Sequence, residues 1–332
     1  MEHILEAQYI ICGVEVDDRY DGACMSVAKC SVEHEDNAYT NCIQIQYCAT
    51  VESDATIFSQ ADINRLIMEE AEPLPQCFSL LLAHPSYLLC CEARIDGKAV
   101  GFESPPRGTP LGIHNLVARW NRYPPTSIQG YSSLMPRDSW PLLETMMSEF
   151  RKRPIHIRRQ LTIPLRWFAK ASSEMSGLDR LAAYWISFNS LYQNPETSER
   201  EAIRTYLRAN LDTSVAHRYV QNNEDLLVRL SGLPIALESR NKKVMIAQEL
   251  NALLKTTSRD HVSIIEKAAL TIYGIRCNLF HGDYDPASDA DQEHVDIAEH
   301  SLSPLLKEII GWRILGQPLS TMRFATQHKL TF

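Results

Sequence analysis

The segment SIIEKAALTIYGIRCNLFHG, residues 263–282, decides how the carboxy-terminal half of this chain folds. Apolar residues recur in it at intervals of three and four, which is the period of an amphipathic α-helix. Pro195, Pro234 and Pro286 separate segments of this kind, as helix breakers do. After residue 137 the period predicts eight helices, over residues 140–153, 157–172, 178–192, 199–211, 224–230, 242–255, 263–280 and 292–315.

The amino-terminal half has a different pattern. Segments rich in β-branched and aromatic residues predict strands over residues 9–14, 24–32, 40–51, 78–83 and 87–102. Within the last of these, Asp96-Gly97 is typical of a two-residue hairpin turn. Ser59–Ala71 interrupts the strands with a short helical pattern. The predicted fold class is therefore α+β, with a β-rich amino-terminal domain followed by an all-α helical bundle.

A chain of 332 residues is long for one domain, so two domains are expected. The change of pattern places the join within residues 136–156. The predicted organisation is a β-rich accessory domain, a basic linker with a lead-in helix, a helical domain and a carboxy-terminal tail, over residues 1–135, 136–156, 157–315 and 316–332 respectively.

The composition is that of a globular protein, with 45% apolar and 22% charged residues. The net charge of −8 does not indicate a general polyanion binder, so any nucleic-acid contact needs a local basic patch. The densest basic run is residues 151–159, RKRPIHIRR. Its Arg153, Arg158 and Arg159 are candidates for substrate binding along a phosphate backbone. The alternative is an ordinary solvated linker.

Other site types leave no signal. No apolar run reaches the roughly 18 residues of a membrane-spanning helix, and no signal peptide is recognisable, so we expect a cytoplasmic protein without membrane contact. The nine cysteines include no CxxC and indicate reduced thiols. Cys24-x5-Cys30 and Cys42-x5-Cys48 have gaps wider than zinc sites usually use. Phosphate-loop, HExxH and GxSxG motifs are missing, so we expect no cofactor and no metal.

Arg276 and His281 are the residues with the clearest chemistry. Arginine binds phosphate oxygens through a fork of N–H groups, and histidine exchanges protons near neutral pH. Five helical steps place the two side chains ~140° apart, so a compact site requires either unwinding near Gly282 or a second copy of the chain. Asn278 and Asp283 add polar groups to the same turn. The alternative is a structural arginine paired with a carboxylate, and a histidine that caps the helix.

Asn189 is the second candidate position. It lies on or beside the apolar stripe of the helix predicted over residues 178–192, four residues after Trp185. A polar side chain placed there needs a partner. Asn189 is either a core asparagine that fixes the helix register or a polar member of a site inside a bundle.

These two helices together resemble the HEPN superfamily, in particular its Apea-like branch. The resemblance rests on Asp179–Tyr192 and Tyr273–Gly282, in this order. Residues 161–168 and the helix beginning at Gln292 are similar in kind and position. It covers roughly residues 155–312 and does not extend to the first 135 residues.

The resemblance implies a bundle of four or five helices that forms a homodimer and brings two R-x4-H motifs into one cleft. Many members are metal-independent endoribonucleases of toxin–antitoxin and antiviral abortive-infection systems. Arg276 would then bind the scissile phosphate. His281 would act as general base or acid in attack by the ribose 2′-hydroxyl, which leaves a 2′,3′-cyclic phosphate. Family members often carry Asn, Asp or His after the motif arginine, where this chain has Cys277.

The expected partners are an RNA substrate, a second copy of the chain, and an antitoxin or another defence-system component. By analogy, the amino-terminal domain would sense a trigger or restrain the cleft. A different function fits the same resemblance: a HEPN module without catalysis that binds RNA, a nucleotide or a protein, with Arg276 as an anion anchor.

Overall fold

The structure is a computed structural model of the chain. It describes residues 2–12, 14–16, 18–34, 37–52, 62, 66, 69–70, 73–81, 87–100, 133–135, 139–174, 176–192, 196–235, 237–239, 242–285 and 288–317. Contacts between Cα atoms divide these residues into two compact units, with the division between Pro154 and Ile155.

The amino-terminal unit is built on an antiparallel sheet. Its six strands have the order β3-β4-β5-β1-β6-β7. A further strand, β2, pairs in parallel with β8. The strands are β1 (Glu2–Cys12), β2 (Val14–Glu15), β3 (Tyr20–Asp21), β4 (Met25–His34), β5 (Asn37–Glu52), β6 (Tyr87–Ile95), β7 (Lys98–Val100) and β8 (Ser133–Leu134).

The strands of this sheet alternate between buried and less buried side chains. From His3 to Ile11 in β1 and from Ile43 to Val51 in β5, every second residue is buried, including Leu5, Tyr9 and Ile45, while the residues between them are less buried or exposed. This period of two gives the sheet one core face and one polar face. The predicted hairpin is confirmed, since Asp96 and Gly97 join β6 to β7 with φ values of 50° and 75°.

Two helices accompany this sheet, α1 (Pro73–Leu81) and α2 (Ser139–Lys152). Phe78 of α1 stacks on Trp140 of α2, with ring centroids 5.6 Å apart. The strand predicted over residues 78–83 is wrong, because Phe78–Leu81 belongs to α1. All residues from Pro73 to Leu80 are buried, and a short apolar run of this kind has no period that separates strand from helix.

The carboxy-terminal unit is helical, as predicted, with a small hairpin added. Its helices are α3 (Ile155–Ser173), α4 (Gly177–Tyr192), α5 (Glu199–Asn210), α6 (Thr213–Asn222), α7 (Glu224–Ser231), α8 (Ile246–Leu254), α9 (His261–His281) and α10 (Asp289–Leu315). The hairpin consists of β9 (Leu237–Ser239) and β10 (Lys242–Val244). The helix predicted over residues 242–255 is therefore wrong at its start, because Lys242–Val244 pairs with β9. Helix α6 was not predicted.

Helix α9 runs through the core of this unit. Ten of its residues between Ile264 and Ile275 are buried. Gly274 allows a close approach, because a Cβ there would lie 2.6 Å from Cγ2 of Ile235. The helix becomes progressively less buried beyond Ile275, and Phe280 and His281 are exposed. The core therefore holds the first two thirds of α9 and presents its last turns at the surface.

In the described parts of the chain, no helix is both long enough and apolar enough to span a bilayer. Several predictions lie outside these parts, namely most of the helical pattern 59–71, the proline-rich loops 105–110 and 124–125, and the tail beyond residue 317.

Candidate functional site

The Arg276 guanidinium lies at the point where α9 leaves the core. The residue is half-buried, and its Nε is fully buried without a hydrogen-bond partner. Among the described residues, no carboxylate forms an ion pair with Arg276. The expectation of a structural arginine paired with a carboxylate is therefore not met. A cation without a counter-charge at the edge of a core can bind an incoming anion.

Phe280 holds this guanidinium in place. It follows Arg276 by four residues, and the guanidinium carbon lies 4.7 Å from its ring centroid. Side chains at this spacing meet on one face of a helix, and the contact is a cation–π interaction. Phe280 is 55% exposed, so the stacked pair lies at the surface.

The charge of Arg276 also acts on Tyr192, at the end of α4. Burial raises the pKa of Tyr192, the nearby Glu199 carboxylate raises it further, and the charge of Arg276 lowers it. The Tyr192 hydroxyl donates to Oε1 of Glu199 at 3.1 Å, and Trp185 Nε1 donates to the same oxygen at 3.2 Å. The nearby carboxylate is thus engaged by two side chains of α4, and α4 and α9 form the walls of the site.

Cys277 follows Arg276 on α9 and is half-buried. It forms a hydrogen bond with Tyr273, one turn earlier on α9. Burial and this bond raise the pKa of Tyr273 to about 12, so its hydroxyl stays protonated at neutral pH. Cys277 and Tyr273 therefore bond to each other within α9.

His281 is the last residue of α9 and is exposed. Gly282 ends the helix with a φ of 79°, and its N–H donates to the Leu279 carbonyl at 3.4 Å. The Asp283 N–H donates to the Asn278 carbonyl at 2.8 Å, which completes a Schellman motif. Because the helix unwinds only after His281, the ~140° offset from Arg276 is kept. The two side chains do not meet within one chain.

Asn278 belongs to a second set of contacts. Its side chain forms a hydrogen bond with the Tyr284 hydroxyl, which also lies 2.9 Å from Nδ1 of His294 on α10. The bond from Asn278 works against the effect of burial, which raises the pKa of Tyr284. Asn278 therefore positions the loop after His281 and forms no hydrogen bond with Arg276.

The remaining candidates are not gathered at Arg276. Asn189 is half-buried on α4, and the described structure gives its side chain no hydrogen bond. Asp283 is exposed and takes part through its backbone. Arg153 belongs to the amino-terminal unit, whereas Arg158 and Arg159 lie in the first turn of α3, and all three interact with other groups of the protein.

No group of three or more metal-ligating side chains occurs among the residues that the structure describes. Cys24, Cys30, Cys42 and Cys48 are among these residues.

Sequence reasoning did not find three residues of this site, Phe280, Tyr192 and Tyr273. The first had a usable signal, because an aromatic residue four positions after an arginine on a helix can stack on it. Tyr192 had none, since its place beside Arg276 depends on how α4 packs against α9.

Comparisons with protein-family models, with curated proteins and with solved structures found no match for this chain.

Proposed function

We propose that this protein is a metal-independent endoribonuclease of the HEPN type, with Arg276 and His281 as its catalytic residues. Arg276 binds the scissile phosphate. His281 moves a proton during attack of the ribose 2′-hydroxyl on that phosphate, and a 2′,3′-cyclic phosphate remains on the product.

One observation carries this proposal: the Arg276 guanidinium lacks a counter-charge in the described structure while it is held against the Phe280 ring. An arginine kept for stability would be expected to pair with a carboxylate, because an unpaired charge at a core edge is costly. An arginine that binds phosphate needs its N–H fork to be available. Glu199, which also acts on Tyr192, accepts hydrogen bonds from Trp185 and Tyr192 and forms no ion pair with Arg276 among the described residues.

The proposed site contains two chains. Arg276 and His281 lie on different sides of an uninterrupted helix, so one phosphate reaches both types of side chain only if a second copy faces the first. The exposed Phe280 ring supplies apolar surface for this contact. We therefore propose a homodimer in which Arg276 of one chain acts with His281 of the other.

The proposal includes a setting. Metal-free RNA cleavage by such a site fits a toxin of an antiviral abortive-infection or toxin–antitoxin system that acts in the cytoplasm. An antitoxin or another defence component would be its partner, and the amino-terminal unit would restrain or trigger the site.

A second function, binding without cleavage, is favoured by Cys277. The HEPN superfamily often has Asn, Asp or His at this position, whereas Cys277 here bonds to Tyr273. If the missing polar contact is needed for cleavage, the module would bind RNA, a nucleotide or a protein through Arg276 alone.

The deciding experiment is RNA cleavage in the presence of EDTA by the purified full-length protein. Arg276→Ala and His281→Ala should each lower the rate by about 10²-fold or more, because each removes one group that acts on the transition state. End analysis should find 2′,3′-cyclic phosphates. Cleavage that continues in both variants would overturn the proposal, and RNA binding without cleavage would support the second function.

Two matched variants control for nonspecific effects. Arg208→Ala removes an arginine that already has a carboxylate partner, Glu266. His300→Ala removes an exposed histidine of α10. Neither should change the cleavage rate by more than about twofold, since surface substitutions rarely do more than that to a distant site.

A further inference from the structure

The sheet explains what the equal spacing of Cys24, Cys30, Cys42 and Cys48 does in the fold. Strands β4 and β5 are antiparallel, and their register pairs Met25 with Tyr47 and Cys30 with Cys42. One step before Met25, Cys24 lies opposite Cys48, and the Cys48 N–H donates to the Cys24 carbonyl at 2.8 Å. The two gaps of five residues thus place two pairs of cysteines across the same two strands.

We propose that Cys24 and Cys48 form a reversible disulfide when the protein meets a peroxide. Directly opposed residues of two antiparallel strands have Cα atoms about 4.5–5.5 Å apart. These values lie within the range of roughly 4.4–6.8 Å that disulfides require. Opposed positions on two antiparallel strands therefore meet the Cα requirement for a disulfide.

Access to oxidant distinguishes this pair from the other one. Cys48 is exposed, and Cys24 and Cys48 together line a cavity of about 460 Å³ on the polar face of the sheet. Cys42, in contrast, is only 1% exposed. A peroxide therefore reaches Cys48 and is kept from Cys42.

The order of the two steps follows from the surroundings of Cys24. Burial, together with the hydrogen bond and charge of Glu144, raises the pKa of the Cys24 thiol to about 11. Only thiolates attack peroxides, so Cys24 reacts slowly, whereas Cys48 is exposed to the oxidant. Cys48 reacts first, and Cys24 closes the bond.

The reaction balances with one peroxide molecule. The Cys48 thiolate attacks the O–O bond and becomes a sulfenic acid, and one water is released. The Cys24 sulfur then attacks the Cys48 sulfur, and the hydroxyl group leaves as a second water with the Cys24 proton. Two thiols are oxidised by two electrons, and hydrogen peroxide is reduced to two waters.

Glu144 restrains this reaction. Its carboxylate accepts hydrogen bonds from the Cys24 N–H at 2.6 Å and from the Tyr20 hydroxyl at 2.8 Å. Gly22 gives it room, because a Cβ there would lie 2.6 Å from either carboxylate oxygen. This contact with Glu144 keeps the Cys24 thiol protonated, so the disulfide forms only after Cys48 has been oxidised.

The test is mass spectrometry of the full-length protein after treatment with hydrogen peroxide and blocking of the remaining thiols. Trypsin releases residues 20–29, in which Cys24 is the only cysteine. This peptide should be linked to residues 30–65, which contain Cys48, and dithiothreitol should separate them. Cys48→Ser should remove the linked peptide, whereas the matched variant Cys30→Ser should keep it.

Glu144→Gln gives a second measurement that leaves both cysteines in place. It removes the Glu144 charge, which together with burial raises the pKa of Cys24. At a peroxide concentration high enough for closure to limit the rate, the linked peptide should therefore form about threefold faster or more. A linked peptide that persists in Cys48→Ser would overturn the proposal. So would oxidation of Cys48 to sulfinic acid without any link to Cys24, or an unchanged rate in Glu144→Gln.

Discussion

Helix α9 carries two charged residues with buried side-chain atoms, Glu266 and Arg276. Of these two, only Glu266 forms ion pairs with residues of opposite charge. The Glu266 side chain is 3% exposed and binds two arginines of α5, Arg204 at 3.3 Å and Arg208 at 2.8 Å. The Arg276 guanidinium stacks on the Phe280 ring and forms no ion pair with a carboxylate in the described part of the chain. A matched charge holds α5 against α9. An unmatched charge on the same helix adds little to the fold, which makes it a candidate for function.

Removal of the matched charge should have the largest effect on stability. Glu266→Ala should lower the free energy of unfolding by about 2–3 kcal/mol, because two arginines lose charge-assisted hydrogen bonds to a buried carboxylate. Urea unfolding followed by circular dichroism measures this loss. Arg208→Ala serves as the control and should cost less, since Arg208 is mostly exposed and Arg204 still binds Glu266. A loss below about 0.5 kcal/mol would remove the contrast with Arg276.

Gly274 lies between the two charges and tests the packing of the helix. Gly274→Ala places a Cβ 2.6 Å from Cγ2 of Ile235, so the free energy of unfolding should fall by about 1–3 kcal/mol. Gly282→Ala is a control without a steric clash, because no atom lies within 4 Å of a Cβ placed there. Only the positive φ of 79° is unfavourable for alanine at this position. If Gly274→Ala raised stability, as helix propensity alone predicts, the close approach of Ile235 would be refuted.

The N-cap residue of α9 gives a prediction about how stability depends on pH. Asp260 caps α9, and hydrogen bonds from the Ser263 hydroxyl and N–H lower its pKa. Its contribution is thus complete above the ordinary aspartate pKa of ~3.9 and is lost as pH falls through the lower, folded-state pKa. Asp260→Ala should cost about 1 kcal/mol at pH 7. In urea unfolding, the difference in the free energy of unfolding between Asp260→Ala and the unaltered protein should be smaller at pH 3 than at pH 5. An equal difference at both pH values would contradict the cap.

Arg276→Ala should have the smallest effect on stability. It removes a cation–π contact of about 0.5–1 kcal/mol and also a buried N–H donor without a partner, and these changes oppose each other. The free energy of unfolding should therefore stay within about 0.5 kcal/mol of the unaltered protein. A loss as large as that of Glu266→Ala would mean that Arg276 is structural.

The helix that carries both charges could be predicted from the sequence, because the apolar period of residues 263–280 identifies it. The strand predicted over residues 78–83 failed because FSLLLA is a short apolar run, and such a run does not distinguish a strand from a buried helix. Helix α6 was not predicted because its ten residues, TSVAHRYVQN, are mostly polar and its apolar stripe is narrow.

The site was less predictable than the helices. Arg276 and His281 could be selected by their chemistry, and the intact helix keeps the angle between them. Whether Arg276 has a carboxylate partner depends on side chains that are distant in sequence, such as Trp185 and Tyr192, which engage Glu199. No local pattern contains that information.

The most direct test of the central claim is a mixed dimer. Arg276→Ala and His281→Ala chains with different affinity tags are co-expressed, and the dimer that carries both tags is purified. This dimer retains one Arg276 and one His281, on different chains. If the site is shared between chains, its RNA cleavage in EDTA should return to within about tenfold of the unaltered protein, while each single-variant dimer stays about 10²-fold lower or more. A mixed dimer as inactive as its parents would contradict the shared site.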